Sequence, residues 1–153
     1  MNTPRRNFLK NILATGGALV LGTAVLPSMA DWPDVAFQAK TTDEALMALF
    51  AGKETKDSDK ITLDVPETAE NGAVVPVEIS TSLENVESIT IIVENNPIPL
   101  VSQFNFTENS VPWLKTRIKM AKKSDLIVIV KTQDRNLYST RKSVTVAKGG
   151  CAG

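Results

Sequence analysis

The chain has 153 residues, with 17 Lys and Arg against 17 Asp and Glu, one cysteine and no histidine. Without histidine, Ser–His–Asp and Cys–His catalysis are excluded, as are imidazole-built zinc or copper sites, and one cysteine cannot close a transition-metal site. A formal net charge of zero gives no electrostatic reason to expect nucleic acid or an anionic membrane surface as partner.

Residues 1–30 read as an export signal. The opening "MNTPRRNFLK" is basic and free of acids, "NILATGGALVLGTAVLP" is apolar but glycine-rich, and Ser28-Met29-Ala30 supplies small residues for cleavage after Ala30. Arg5-Arg6 followed by Asn7-Phe8-Leu9-Lys10 resembles a twin-arginine signal, with Pro4 where Ser or Thr is usual. An ordinary secretory signal or an uncleaved anchor are the alternatives. Cleavage would leave 123 residues with 14 basic and 17 acidic side chains, a net charge of −3. That is enough for one domain, expected in the periplasm, with no membrane insertion once the signal is removed. A lone cysteine in that oxidising compartment stays free, pairs with another molecule or carries something.

From Asp34 to Phe50, "DVAFQAKTTDEALMALF" predicts a helical segment broken near Lys40–Thr42, with Thr41 and Glu44 spaced as a capping box and Gly52 past its end. The polar stretch "GKETKDSDK", Gly52 to Lys60, predicts a loop. Strand-like runs rich in Ile, Val and Thr then recur at 61–65, 74–80, 88–94, 100–106, 113–120, 126–132 and 137–146. Turn signals separate them: Asn71-Gly72, Asn95-Asn96-Pro97, Glu108-Asn109-Ser110, Lys122–Asp125 and Asp134-Arg135-Asn136. Pro76 inside the second run predicts an edge strand or a bulge, because proline cannot donate to the ladder. The expected fold is mainly β: an immunoglobulin-like antiparallel β-sandwich of about seven strands, with an N-terminal helical segment and a flexible C-terminal arm. A small β-barrel is the alternative. The expected domain boundaries are 1–30 for the signal, 31–147 for the sandwich with its helix, and 148–153 for the arm.

Chemistry-bearing residues are few. The carboxylate pairs Glu67 with Glu70 and Asp57 with Asp59 fall in polar segments and read as solvated. Arg117, Lys119, Lys122 and Lys123 read as a solvated strand face, with an anion or acidic partner as the functional alternative. Phe104, Phe106, Trp113 and Tyr138 have spacings that suit a core. The ending "KGGCAG" is different in kind. Gly149 and Gly150 make the segment flexible, and five residues past Val146, at ~3.3–3.6 Å each, the Cys151 thiol reaches roughly 17 Å from the domain. A thiolate there can form persulfides and mixed disulfides, and Ala152 and Gly153 add so little bulk that the end can enter a narrow channel. An interchain disulfide, as in a homodimeric binding or structural module, is the competing use of the thiol. A redox enzyme finds no second cysteine and no cofactor motif.

The stretches "TTDEALMALF", "ENGAVVPVEIS", "TIIVENNPIPL" and "KTRIKMAKKSDLIVIV", joined to the terminal "GGCAG", resemble the SoxY family, the sulfur-carrier subunit of the periplasmic thiosulfate-oxidising Sox system. The resemblance runs from about Asp31 to Gly153. It implies a carrier protein that is not an enzyme and that works as a heterodimer with SoxZ. It assigns covalent sulfur attachment to Cys151 and the swing of the arm to Gly149, Gly150, Ala152 and Gly153, with no metal and no cofactor besides the sulfur intermediates on Cys151. It further implies transient visits to the c-type cytochrome SoxXA, which forms a cysteine S-thiosulfonate, to the hydrolase SoxB, which releases sulfate, and, where present, to the sulfane dehydrogenase SoxCD. The usual family ending is GGCGG. Ala152 departs from it, beside the reactive sulfur.

Overall fold

The computed structural model describes residues 33–148. The predicted signal and the carrier-arm residues Gly149, Gly150, Cys151, Ala152 and Gly153 lie outside the described residues.

The helical segment is indeed two pieces. Helix α1, Asp34–Gln38, starts where the Pro33 carbonyl accepts from the N–H groups of Ala36 and Phe37, and stops where Ala39 turns to an extended ψ of 138°. Helix α2, Thr42–Phe50, begins on the predicted capping box. Thr41 Oγ1 accepts from the Glu44 N–H at 3.2 Å, and Glu44 Oε2 accepts from the N–H groups of Lys40 and Thr41 at 2.8 and 3.3 Å. Two orphan amides and a third nearby are thereby satisfied by one Thr–Glu pair. The helix closes on a left-handed residue, but that residue is Ala51, at φ 52°, with Gly52 following at φ 72°.

Nine strands follow in the described residues: β1 (Lys56–Asp57), β2 (Ile61–Asp64), β3 (Thr68–Ala69), β4 (Val75–Thr81), β5 (Val86–Val93), β6 (Leu100–Asn105), β7 (Trp113–Ile118), β8 (Ser124–Thr132) and β9 (Leu137–Val146). All seven predicted strands are present. A six-stranded sheet runs β1-β9-β8-β5-β6, with β3 also on β9, and a three-stranded antiparallel sheet runs β2-β4-β7. Two separate sheets packed face to face make this an immunoglobulin-like sandwich and not a barrel.

The two additional strands, β1 and β3, are parallel to β9 and cover its outer edge at both ends: Lys56 and Asp57 pair Tyr138 and Ser139, and Thr68 and Ala69 pair Thr145 and Val146. The chain between them crosses to the small sheet as β2 and returns. Such coverage blunts an edge that would otherwise offer a free hydrogen-bonding row. Pro76 also departs from expectation. Its strand β4 is the middle of the small sheet, not an edge. The proline is tolerated because the β2 ladder ends at Asp64 opposite Glu78, so at Pro76 the strand has only β7 beside it.

The large sheet is buried on both faces, which explains the unbroken run "LIVIV" in β8. Leu126, Val128 and Val130 point into the core between the sheets, alongside Ile79, Ile89, Ile91 and Val144. Ile127 and Ile129 point the other way, into a second core that α1 and α2 complete with Ala36, Ala45, Ile92, Leu100 and Leu137. Each such side chain contributes roughly 1.5–3 kcal/mol by leaving water. Of the four aromatics expected inside, Phe104, Phe106 and Tyr138 pack against the inter-sheet core. Trp113 does not: it is 50 % exposed, while its neighbour Leu114 is buried. Strand parity decides this, because β7 turns Leu114 and Ile118 inward and so must turn Trp113, Lys115 and Arg117 outward.

Candidate functional site

Of the residues that suggested a site, Lys119, Lys122 and Lys123 lie at the end of the sandwich where β9 ends. Beyond Val146 the backbone remains tied. The Ala147 N–H donates to the Ala69 carbonyl at 2.9 Å, and the Lys148 carbonyl accepts from the Gly72 N–H at 2.7 Å. The Gly72 carbonyl in turn accepts from the Met120 N–H at 2.7 Å, and the Met120 side chain is fully buried beneath. A continuous hydrogen-bonded path therefore runs from Lys148 through the predicted Asn71-Gly72 turn to the 119–124 loop. The root of the arm is fixed as far as Lys148, three residues before Cys151.

Asn95 and Asn96 hold the next loop in place. Asn96 Oδ1 accepts from the Ala121 N–H at 2.9 Å while its Nδ2 donates to the Lys119 carbonyl at 2.8 Å. Asn95 Nδ2 donates to the Lys123 carbonyl at 2.9 Å, and the Asn95 N–H donates to Ser124 Oγ at 2.9 Å. The sequence marks this Asn-Asn-Pro only as a turn. Its second use, as a side-chain clamp on a loop distant in sequence, carries no periodic or motif signal.

Lys119, Lys122 and Lys123 are exposed on the clamped loop, as the solvated-face reading expected, and Lys148 joins them across the Gly72 bridge. The ammonium groups of these four form no ion pair with a described residue; the described ion pairs use Lys115, Lys131 and Arg141. Glu94 and Asp125, at the same end, both turn to Arg141 Nη1 at 4.0 Å. Arg117 lies farther back on the outer face of the small sheet, opposite Pro76. The carboxylate pairs do not form acid–base dyads with each other. Asp57 Oδ1 sits 3.2 Å from Ser139 Oγ, and Glu67 contributes its carbonyl to the Thr145 N–H at 2.9 Å. No cluster of three or more metal-ligating side chains occurs among the described residues.

On the same outer face Glu78 gathers two neighbours from β7: Trp113 Nε1 donates to Oε1 at 3.1 Å and Lys115 Nζ to Oε2 at 2.9 Å. The Lys115 hydrogen bond, then that of Trp113, holds the Glu78 carboxyl below its usual range, and Glu78 raises Lys115 in return. At the opposite end of the sandwich the Thr132 and Asn136 hydrogen bonds lower Asp134, which lines a surface hollow with Lys60, Glu84, Asn85 and Tyr138.

Fold and site together define an immunoglobulin-like β-sandwich whose last strand anchors the root of a cysteine-bearing terminal segment. A family model described as sulfur oxidation protein SoxY matches residues 46–151, reaching Cys151. The chain belongs to the SoxY family. Among solved structures, the sulfur carrier protein SoxY from Chlorobium limicola f thiosulfatophilum is 35 % identical, the match covering 75 % of this chain and 99 % of that one with a TM-score of 0.64. A superoxide reductase (neelaredoxin) from Ignicoccus hospitalis superposes with a TM-score of 0.53 at 16 % identity, covering 60 % of this chain and 94 % of that one. A putative superoxide reductase from Thermotoga maritima gives the same TM-score of 0.53 at 15 % identity, covering 60 % and 93 %. These two share the fold alone. No curated protein matches the chain.

Proposed function

We propose that the chain is a covalent sulfur carrier in thiosulfate oxidation. The observation that carries this reading is the family match through Cys151, supported by the likeness to a solved SoxY sulfur carrier. Residues 1–30 serve as a twin-arginine signal, 31–147 as the body, and 148–153 as the arm, in the periplasm. The carrier acts with SoxZ as a heterodimer and performs no catalysis of its own.

The Cys151 thiolate and thiosulfate join sulfur to sulfur with loss of two electrons, which the cytochrome SoxXA accepts, and the product is a cysteine S-thiosulfonate. Water then attacks the terminal sulfonate at SoxB, releasing sulfate and two protons and leaving a persulfide anion on Cys151. Where SoxCD is present, it oxidises that remaining sulfur. The carrier itself needs only an accessible thiolate, and no resident cofactor. Gly149 and Gly150 supply rotational freedom, and Ala152 and Gly153 keep the end slim.

Cys151→Ser tests the proposal. The variant is expected to fold and to abolish thiosulfate-dependent oxygen uptake; full uptake would overturn the carrier role. Non-reducing electrophoresis separates the interchain-disulfide reading, which requires a dimer that persists through turnover until reductant is added.

A further inference from the structure

We infer that the loop face around Lys148 is a docking surface for a protein whose channel mouth is rimmed by carboxylates, and that Lys119, Lys122, Lys123 and Lys148 form its electrostatic collar. The inference rests on the carrier reading and adds where and with what chemistry the visiting protein lands. Length forces the location. Cys151 lies three residues beyond the anchored Lys148, and at ~3.6 Å per residue those three steps span about 11 Å at most. Any protein that takes the thiol into a channel must therefore bring its rim down onto the loops at 70–74, 94–98 and 119–124.

Charge decides the partner. The exported chain carries a net charge of −3, yet these loops and Lys148 together hold four exposed lysines without ion pairs to described residues. Glu70 is the exposed carboxylate beside them, and Glu94 and Asp125 are turned to Arg141. Lys119, Lys122 and Lys123 share one loop, and the Gly72 backbone bridge ties that loop to Lys148, so the four present positive charge beside the root. Val74 and Ile98, 51 % and 40 % exposed on the same loops, offer that surface apolar contacts as well. The Asn95 and Asn96 clamps hold this face in shape before any partner arrives, which lowers the ordering cost of docking.

The test uses the chain purified from its source periplasm with any subunit that copurifies, and reads Cys151 modification by intact mass after addition of thiosulfate and periplasmic extract. Wild-type loading should fall steeply as ionic strength rises. K119E/K122E/K123E should load at least tenfold more slowly with a flattened salt dependence, E70K should load faster, and K40E/K56E/K60E should match wild type. Equal loading by the first triple and wild type overturns the docking surface. A second arm omits extract and uses tetrathionate, from which the thiolate displaces thiosulfate to give the same S-thiosulfonate. The collar predicts a much smaller effect of K119E/K122E/K123E here. An equal loss in both arms overturns docking and assigns the lysines to the anionic sulfur compound instead. Failure of the carrier reading looks different: extract and thiosulfate leave wild-type Cys151 unmodified.

Discussion

At the residue scale, single positions show what strand parity and backbone sterics decide. Ala51 occupies a left-handed conformation at φ 52° that glycine adopts without a Cβ penalty. Ala51→Gly should therefore stabilise the protein by about 0.5–1 kcal/mol, read as a higher urea midpoint at unchanged m-value. Glu78 makes a pH-dependent contribution. Its folded pKa lies below the ordinary 4.5 because Lys115 and Trp113 bond the ionised form. The contribution is fully present above that ordinary value and is lost as pH falls through the lowered one. The stability difference between wild type and Glu78→Gln should accordingly shrink as pH falls below 4.5, and a difference that persists undiminished at strongly acid pH would contradict the assignment. Trp113 itself was legible only as an aromatic in a strand. Whether β7 begins with an inward or outward residue depends on register with β4, and a six-residue strand flanked by Val111 and Pro112 does not declare it.

At the element scale, legibility tracked length. The seven longer strands announced themselves through Ile, Val and Thr runs between turn residues, and the capping box fixed the start of α2 to the residue. The strands β1 and β3 did not, because two residues have no periodicity and their pairing depends on β9, far along the chain. Pro76 marks neither the edge strand nor the bulge that its lack of an N–H predicts, since a middle strand can outrun a shorter neighbour. The clamp by Asn96 belongs to this scale. Asn96→Ala removes two hydrogen bonds to the 119–121 backbone, at a cost of about 1–3 kcal/mol. Amide exchange at Ala121 should accelerate far more than at Ile129 in the core of β8. Uniform acceleration would mean that Asn96 supports the whole fold and not this loop.

At the scale of the whole molecule, the described body is braced on both faces of its large sheet. Two cores share the large sheet, so Val128→Ala and Ile129→Ala open cavities on opposite faces. Each should cost about 2–4 kcal/mol, and only Ile129→Ala should expose α1 and α2 to early proteolysis. The proposed role of Cys151 rests on the sequence, because an unpaired thiol among glycines has few other uses in a chain expected to be exported. The collar at the arm's root was only half legible: Lys119, Lys122 and Lys123 share one stretch, but Lys148 joins them through the Gly72 bond, which no local pattern encodes.

The central claim, that Cys151 carries sulfur covalently, is tested most directly by the mass of the terminal peptide from cells oxidising thiosulfate. The carrier account predicts a population bearing added thiosulfonate or persulfide sulfur on Cys151, removed by reductant and lost when thiosulfate is withdrawn. A terminal peptide that stays unmodified throughout active oxidation would contradict it.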